Sequence, residues 1–116
     1  MGCFSWGESN TNSTSYQTKT TLTTPSLIAG DYKIEWHGQS KGSNTSYNKK
    51  TQIIVDDTTT LSEYITPGET YYVQFGGMKK ITLTATVHTI KVQYSSSSSS
   101  GTCYIKETRL NIERVV

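Results

Sequence analysis

Apolar and polar residues alternate one by one in several stretches of this 116-residue chain, and this period of two is the strongest constraint on its fold. Two of these stretches are residues 32–36 and 90–94. Strict alternation is typical of a β-strand that has one buried and one solvated face. No segment of helical length carries the 3.6-residue period of an amphipathic helix. The sequence therefore predicts an all-β protein, with Trp36 on a buried face.

The composition favours ordered strands over a disordered chain. Serine and threonine supply 35 of the 116 residues, and 33% of the residues are hydrophobic. Disordered chains of this polarity usually carry a high net charge and few aromatic residues, whereas this chain has a net charge of +2 and eight tyrosines. The small net charge gives no reason to expect nucleic-acid binding. No apolar run approaches the roughly 18 residues of a membrane-spanning helix, so we expect neither nucleic acid nor membrane as a partner.

The spacing of strands and turns predicts an antiparallel β-sandwich or jelly roll. Short strand patterns recur at intervals of about ten residues, as in β-sandwiches. We expect a polar loop over 38–48, a strand break at 76–77, and either a short strand or a helical turn over 61–65. The last two strands flank the serine run 95–100 and are expected to pair as an antiparallel hairpin with a flexible loop.

Residues 1–15 are predicted to form an extended N-terminal arm, ahead of a β-sandwich domain over residues 16–116. The arm is polar apart from two large aromatic side chains, Phe4 and Trp6. Side chains two residues apart lie on the same side of an extended segment. Because nothing near them in sequence can bury them, we expect Phe4 and Trp6 to contact a neighbouring subunit. The alternative is that they pack onto the open end of their own sandwich.

The sequence contains no catalytic constellation, so we expect no enzyme activity and no cofactor. The two histidines lie far apart, and strand parity places His37 in solvent and His88 at the edge of the core. The pair Asp56-Asp57 follows a strand and could offer oxygen ligands to Ca²⁺. An aspartate pair at a strand end is more often a turn former, so no metal site is expected. The two cysteines are expected to be free thiols, with a bridge between them as the alternative.

Five aromatic residues are candidates for a ligand-binding surface. Aromatic rings on the solvated face of a β-sandwich can stack on sugar rings. They can equally cover the sheet, with the ring packed and the hydroxyl in solvent. The five residues are Trp6, Tyr47, Tyr64, Tyr71 and Tyr72.

Four segments resemble small β-sandwich proteins found in the virions of tailed bacteriophages. They are residues 24–36, 55–61, 83–90 and 109–115, which read TPSLIAGDYKIEW, VDDTTTL, LTATVHTI and RLNIERV. These segments mark strands and turns, so the resemblance concerns the fold more than an activity. Residues 83–90 are also similar to a Leu-Xaa-Ala-Gly-Xaa-His-Thr-Ile stretch of carbohydrate-binding jelly-roll modules, with Thr86 in place of the glycine.

The resemblance implies a non-enzymatic structural component of a tailed-phage virion, such as a capsid decoration, a head fibre or a tail-associated subunit. It places the protein in the virion, with other virion proteins and copies of itself as partners. The alternative is a carbohydrate-binding module that recognises glycans on the host surface. The polar arm with Phe4 and Trp6 favours the structural role, because an extended segment with two aromatic anchors suits docking onto a neighbouring protein.

Overall fold

The computed structural model describes residues 1–115, and all of its regular elements are β-strands. The prediction of an all-β fold is confirmed. The strands are β1 (Gly2–Ser5), β2 (Ser9–Thr11), β3 (Gln17–Thr23), β4 (Gly30–Gly42), β5 (Asn48–Val55), β6 (Thr59–Pro67), β7 (Val73–Leu83), β8 (Thr89–Ser96) and β9 (Cys103–Arg114).

The strands form two antiparallel sheets that enclose one core. The larger sheet has the order β1-β9-β4-β7, with β2 also paired to β9, and the smaller sheet has the order β3-β8-β5-β6. Each neighbouring pair of strands is antiparallel. This arrangement confirms the predicted antiparallel β-sandwich of the jelly-roll type.

The core lies between the sheets and follows the alternation in the sequence. On β4 the inward residues Tyr32, Ile34 and Trp36 are all buried, and Trp36 is only 6% exposed. From the smaller sheet, β8 contributes Ile90 and Val92, which are fully buried. The remaining buried apolar residues are Leu22, Ile53, Val55, Leu61, Phe75, Leu83, Tyr94, Cys103, Ile105, Leu110 and Ile112.

The predicted hairpin between the last two strands is wrong. β8 pairs with β3 and β5 in the smaller sheet, whereas β9 pairs with β1, β2 and β4 in the larger one. The serine run therefore crosses from one sheet to the other. Ser95 and Ser96 are buried at the end of β8, where they pair with Lys50 and Lys49. Only the serines after them belong to the connection, which a hydrogen bond from Gly101 N to Ser98 O closes.

Two other local predictions are also wrong, and each underestimates the length of a strand. β4 continues to Gly42, so the polar loop begins later than residue 38. β7 runs without a break through residues 76–77. A Cβ atom on Gly77 would lie 2.9 Å from the Trp36 ring, so this glycine makes room for the indole of the neighbouring strand. Residues 61–65, which the sequence left open, lie within strand β6.

The segment predicted to be an arm contributes to the larger sheet. β1 pairs with β9 from Gly2↔Asn111 to Ser5↔Thr108, and β2 pairs with β9 from Ser9↔Ile105 to Thr11↔Cys103. Residues 2–11 thus add two short strands to one edge of the sandwich. The domain boundary between residues 15 and 16 stays a prediction.

The two cysteines are free thiols. Cys3 lies opposite Leu110, and Cys103 is itself a residue of β9, so the two thiols lie seven positions apart along this strand. Burial raises the pKa of the Cys103 thiol to about 11, which keeps it protonated at neutral pH.

Among the described residues, no helix has the length and apolarity needed to cross a membrane.

Candidate functional site

A groove of about 400 Å³ lies on the outer face of the larger sheet, over β1, β9 and β4. Its position follows from the register of three strands that are distant in sequence. Phe4 on β1 lies opposite Arg109 on β9, which in turn lies opposite His37 on β4. The groove is lined by Gly2, Phe4, Glu35, Trp36, His37, Arg109, Leu110 and Asn111.

A bulge in β9 sets which of its side chains face the groove. The pairing of β4 with β9 shifts between His37 and Gln39, and Glu107 adopts a positive φ of 52° at this point. Such a bulge inserts one extra residue and changes the parity of the strand. Ile105 and Thr108 are consequently both buried, so that Arg109 points outward.

Two aromatic rings stand at the edge of this groove. The side chains of Phe4 and Trp6 are 62% and 51% exposed. Their ring centroids lie 5.4 Å apart with an interplanar angle of 46°. The carbonyl of Trp6 accepts a hydrogen bond of 3.2 Å from the Glu107 amide, which holds Trp6 beside the β9 bulge.

The exposed rings do not plug the end of their own sandwich, which was the alternative raised by the sequence. They form an adjacent aromatic pair on the outer face of the sheet. The expectation that Phe4 and Trp6 contact a neighbouring subunit stays a prediction.

The groove is also lined by polar side chains, among them one positively and one negatively charged residue. Arg109 and Asn111 are exposed, and His37 is half-buried. Glu35 forms an ion pair of 2.9 Å with Lys33, which also pairs with Glu113 at 2.5 Å. Within residues 1–115, Arg109 has no carboxylate partner within 4.0 Å. Exposed aromatic rings beside a few hydrogen-bonding groups are the components of a small-molecule binding site.

A cluster of two lysines and two tyrosines, which we call the Lys–Tyr cluster, lies further along the same face. The ammonium of Lys106 is 4.1 Å from the centroid of the Tyr72 ring. The ammonium of Lys41 is 5.1 Å from the Tyr72 centroid and 4.9 Å from that of Tyr104. Partial burial, together with a hydrogen bond from its hydroxyl to the Glu8 carboxylate, raises the pKa of Tyr72.

The five aromatic residues singled out in the sequence have different roles. Trp6 and Tyr72 lie on the outer face of the larger sheet, and Tyr71 is 65% exposed. Tyr64 is structural, because its hydroxyl accepts a hydrogen bond from the Trp36 indole at 3.0 Å and donates one to the Gly76 carbonyl at 3.1 Å. Tyr47 packs against Gly101, where an added Cβ would lie 2.9 Å from the Tyr47 Cβ.

The sequence did not single out Phe4, Arg109, His37 and Asn111 as one site. These residues come from strands at opposite ends and in the middle of the chain, and only the sheet register brings them together. Two signals were available in the sequence: the alternation on β4 indicated that His37 faces away from the core, and Phe4 was an aromatic residue that nothing nearby could bury.

A second cavity, of about 240 Å³, lies between the edges of the two sheets, and its lining includes Lys49 and Tyr64. Lys49 is only 4% exposed. Its ammonium donates hydrogen bonds of 3.1 Å to both the carbonyl and the hydroxyl of Ser40, and it lies 3.5 Å from a carboxylate oxygen of Glu69. Internal partners therefore compensate this buried charge.

The pair Asp56-Asp57 forms a turn, as the sequence favoured. Both residues have positive φ, 52° and 58°, and the Thr58 amide donates a hydrogen bond of 3.1 Å to the Val55 carbonyl across them. Aspartate tolerates this left-handed region better than most residues. Within residues 1–115, no group of three or more His, Cys, Asp or Glu side chains could hold a metal ion.

His88 is a structural residue at the core edge, in agreement with the sequence interpretation. Its Nδ1 lies 2.6 Å from the Asp56 carboxylate, and its Nε2 lies 2.9 Å from the Thr84 carbonyl. Both neighbours accept hydrogen bonds, so both ring nitrogens must carry protons, which is true only of the imidazolium ion. Burial alone would lower the pKa of His88, but the hydrogen bonds to Asp56 and Thr84 raise it above its usual value.

Stability is expected to depend on pH through His88. Because the folded-state pKa is raised, its contribution is fully present below the unfolded pKa of about 6.5 and is lost as the pH rises through the folded pKa. The difference in melting temperature between the wild type and His88→Gln should therefore shrink from pH 6 to pH 9. His37→Gln removes the other histidine and serves as the control. Identical pH profiles for the wild type and His88→Gln would show that the imidazolium does not contribute.

Comparison with known proteins gives structural similarity only. No protein-family model matches the chain, and no curated protein sequence matches it either. The C-terminal domain of the sugar-binding protein EclA aligns with a TM-score of 0.61 and 19% identity, over 94% of this chain and 79% of that one. The CBM36-1 domain of a multidomain xylanase from the hindgut metagenome of Trinervitermes trinervoides aligns with a TM-score of 0.57 and 11% identity, over 100% of both chains.

A third similar structure is the carbohydrate-binding module CBM36 in complex with calcium and xylotriose. It aligns with a TM-score of 0.54 and 9% identity, over 97% of this chain and 99% of that one. A pentameric capsid protein from metagenomic phage sequences has a TM-score of 0.33, too low to support a shared role. At these identities the similarity establishes the fold.

The predicted role as a structural component of a tailed-phage virion is wrong. The solved structures that match nearly the whole chain with TM-scores above 0.5 are a sugar-binding domain and carbohydrate-binding modules. The expected virion partners are likewise unsupported. The error arose because the resemblance was carried by strands and turns, which many β-sandwiches of unrelated function share.

Proposed function

We propose that this protein is a carbohydrate-binding domain and that the groove on the larger sheet binds the glycan. The observation that carries the proposal is the pair of exposed rings, Phe4 and Trp6, beside a groove with several hydrogen-bonding groups. The jelly-roll similarity to a sugar-binding domain and to carbohydrate-binding modules supports it.

The groove offers both kinds of contact that a sugar requires. One face of a pyranose ring exposes C–H groups, which pack on an aromatic ring, while its hydroxyl groups need hydrogen-bond partners. Phe4 and Trp6 supply the apolar surface, and the side chains of His37, Arg109 and Asn111 supply donors and acceptors. Phe4, His37, Arg109 and Asn111 lie on paired β-strands, and Trp6 directly follows β1. The backbone of the site is therefore held in place before the ligand binds, which reduces the entropy cost of binding.

Calcium has no part in this proposal. One of the similar structures contains calcium together with xylotriose. Among residues 1–115 of this chain, no group of three or more His, Cys, Asp or Glu side chains could hold a metal ion. The glycan contacts are therefore assigned to side chains alone, and a chelator such as EDTA is expected to leave binding unchanged.

Substitution of either exposed ring should weaken glycan binding. Aromatic residues at the centre of a contact surface often account for most of the binding energy, so Phe4→Ala and Trp6→Ala are each expected to reduce affinity by roughly tenfold or more. Affinity electrophoresis against a panel of neutral and acidic polysaccharides measures this directly. Quenching of Trp6 fluorescence by a retained polysaccharide provides a second measurement, since Trp36 is buried.

The matched control is Tyr16→Ala. Tyr16 is an aromatic residue near the smaller sheet, where its hydroxyl donates a hydrogen bond of 2.7 Å to Glu63 on β6. This variant should bind as the wild type does. If Phe4→Ala and Trp6→Ala retain full affinity for a polysaccharide that binds the wild type, the groove is not the site. If no polysaccharide in the panel is retained, carbohydrate binding itself is wrong.

A further inference from the structure

We propose that the glycan is anionic, and that Arg109 in the groove and the lysines of the Lys–Tyr cluster bind its carboxylate or sulfate groups. This inference rests on the proposed function and specifies the chemical class of the ligand.

Three basic side chains occupy three successive outward positions on the paired strands β4 and β9. Lys41 lies opposite Tyr104, Lys106 lies opposite Gln39, and Arg109 lies opposite His37. Successive outward side chains on a strand are roughly 7 Å apart, because they are separated by two residues and each residue adds about 3.4 Å to the strand. The three cations therefore form a row that leads from the Lys–Tyr cluster into the groove.

The charges of these three cations are not neutralised by ion pairs within the described part of the chain. Among the ion pairs of residues 1–115, neither Lys41, Lys106 nor Arg109 lies within 4.0 Å of an aspartate or glutamate oxygen. Elsewhere on the surface, Lys33 and Lys91 do form such pairs, at distances of 2.9 and 2.8 Å. Within residues 1–115 Lys79 also lacks such a pair, so what distinguishes the row is its position along β4 and β9 beside the groove.

The carboxylates on the same face are held by other donors. Glu107 accepts a hydrogen bond of 2.6 Å from the Gln39 amide, and Glu8 accepts one from the Tyr72 hydroxyl. Glu35 is paired with Lys33 at 2.9 Å. Within residues 1–115, none of these three carboxylates lies within 4.0 Å of the ammonium or guanidinium groups of the row. An anionic ligand can therefore pair with those groups without breaking an existing ion pair.

The chemistry of the row matches an acidic polysaccharide. The planar guanidinium of Arg109 can donate two parallel hydrogen bonds to a carboxylate or sulfate group. Lys41 and Lys106 supply point charges for a second anionic group along the chain. The exposed rings of Phe4 and Trp6 provide apolar surface for a sugar ring near Arg109.

The test compares paired polysaccharides that differ only in charge. The carboxylate pair is polygalacturonate and its fully methyl-esterified form, and the sulfate pair is dextran sulfate and dextran. We expect at least about tenfold tighter binding to the charged member of at least one pair, and weaker binding as the salt concentration rises. The pair that shows the preference identifies the anionic group as carboxylate or sulfate.

Substitutions locate the anion site. Arg109→Gln and the double variant Lys41→Gln/Lys106→Gln should each lower the preference for the charged member by roughly tenfold. Lys79→Gln removes the same charge from β7, outside the row, and should keep the wild-type preference. Thermal melting checks that all variants are folded, which is expected because each changed side chain faces outward or is exposed.

The outcomes separate this inference from the proposed function. Equal affinity for the charged and neutral members of both pairs, with binding retained, would overturn the anionic ligand and leave carbohydrate binding intact. Failure to bind any of these polysaccharides or the neutral panel would overturn both. Binding to single-stranded DNA as tight as to the charged polysaccharide would show that the row recognises charge alone, and would also overturn the inference.

Discussion

Replacement of Trp36 with alanine is expected to lower the free energy of unfolding by roughly 3–5 kcal/mol. The indole is 6% exposed on the inward face of β4, and its Nε1 donates a hydrogen bond of 3.0 Å to the Tyr64 hydroxyl. The substitution removes the largest side chain of the core and leaves a cavity against Gly77, whose lack of a side chain accommodates the ring. A loss of this size should lower the melting temperature by more than about 10 °C.

Trp36→Phe separates the two contributions of this residue. Phenylalanine keeps most of the apolar contact but loses the hydrogen bond to Tyr64, so the loss of stability should be clearly smaller than for alanine. Chemical denaturation of the three proteins measures both differences. A Trp36→Ala variant that melts within a couple of degrees of the wild type would contradict the assignment of this face of β4 to the core.

Gly42→Ala is expected to destabilise the fold by roughly 1–3 kcal/mol or more, because it forces an atom into occupied space. A Cβ at this position would lie 2.4 Å from the Cα of Gly68 and 2.7 Å from its carbonyl carbon. The Gly42 amide donates a hydrogen bond of 2.7 Å to the Glu69 carbonyl, and the Gly68 amide donates one of 3.0 Å to the Tyr47 carbonyl. The clash is thus with backbone that is held on both sides.

Gly7→Ala provides the matched control. No atom lies within 4 Å of a Cβ built on Gly7, so the same chemical change meets open space. Alanine also reduces the conformational entropy of the unfolded chain, so Gly7→Ala should leave the melting temperature unchanged or raise it slightly. Equal melting temperatures for Gly42→Ala and Gly7→Ala would show that the end of β4 can separate from residue 68 at little cost.

The candidate site could be predicted only in part. Trp6 and Tyr72 stood out as aromatic residues in polar surroundings. The pairing of β1 with β9 places Phe4 on the sheet surface, and the hydrogen bond from the Glu107 amide to the Trp6 carbonyl holds Trp6 beside it. From the sequence, the aromatic residues Phe4 and Trp6 in a polar segment predicted an arm that contacts another subunit. In the structure, β1 and β2 of this segment instead pair with the edge of β9, whose backbone groups would otherwise be unpaired.

The sequence by itself determined the fold class and the inward face of the best-patterned strands. Tyr32, Ile34 and Trp36 alternate with polar residues, and burying that face against a second layer is the favourable way to remove their apolar surface from water. The tertiary structure alone decided which strands are neighbours. Alternation specifies a buried face but not a partner, so β8 and β9 could not be assigned to different sheets from their patterns.

Tertiary structure also decided whether individual polar residues are buried or exposed and which partners they contact. Lys49 shares the inward face of β5 with Ile53, where a charge is unfavourable unless partners are present, and those partners are Ser40 and Glu69 from elsewhere in the chain. The row of Lys41, Lys106 and Arg109 likewise exists only because a bulge at Glu107 turns Arg109 outward. Interactions between residues so far apart in sequence depend on strand register, which the local pattern does not encode.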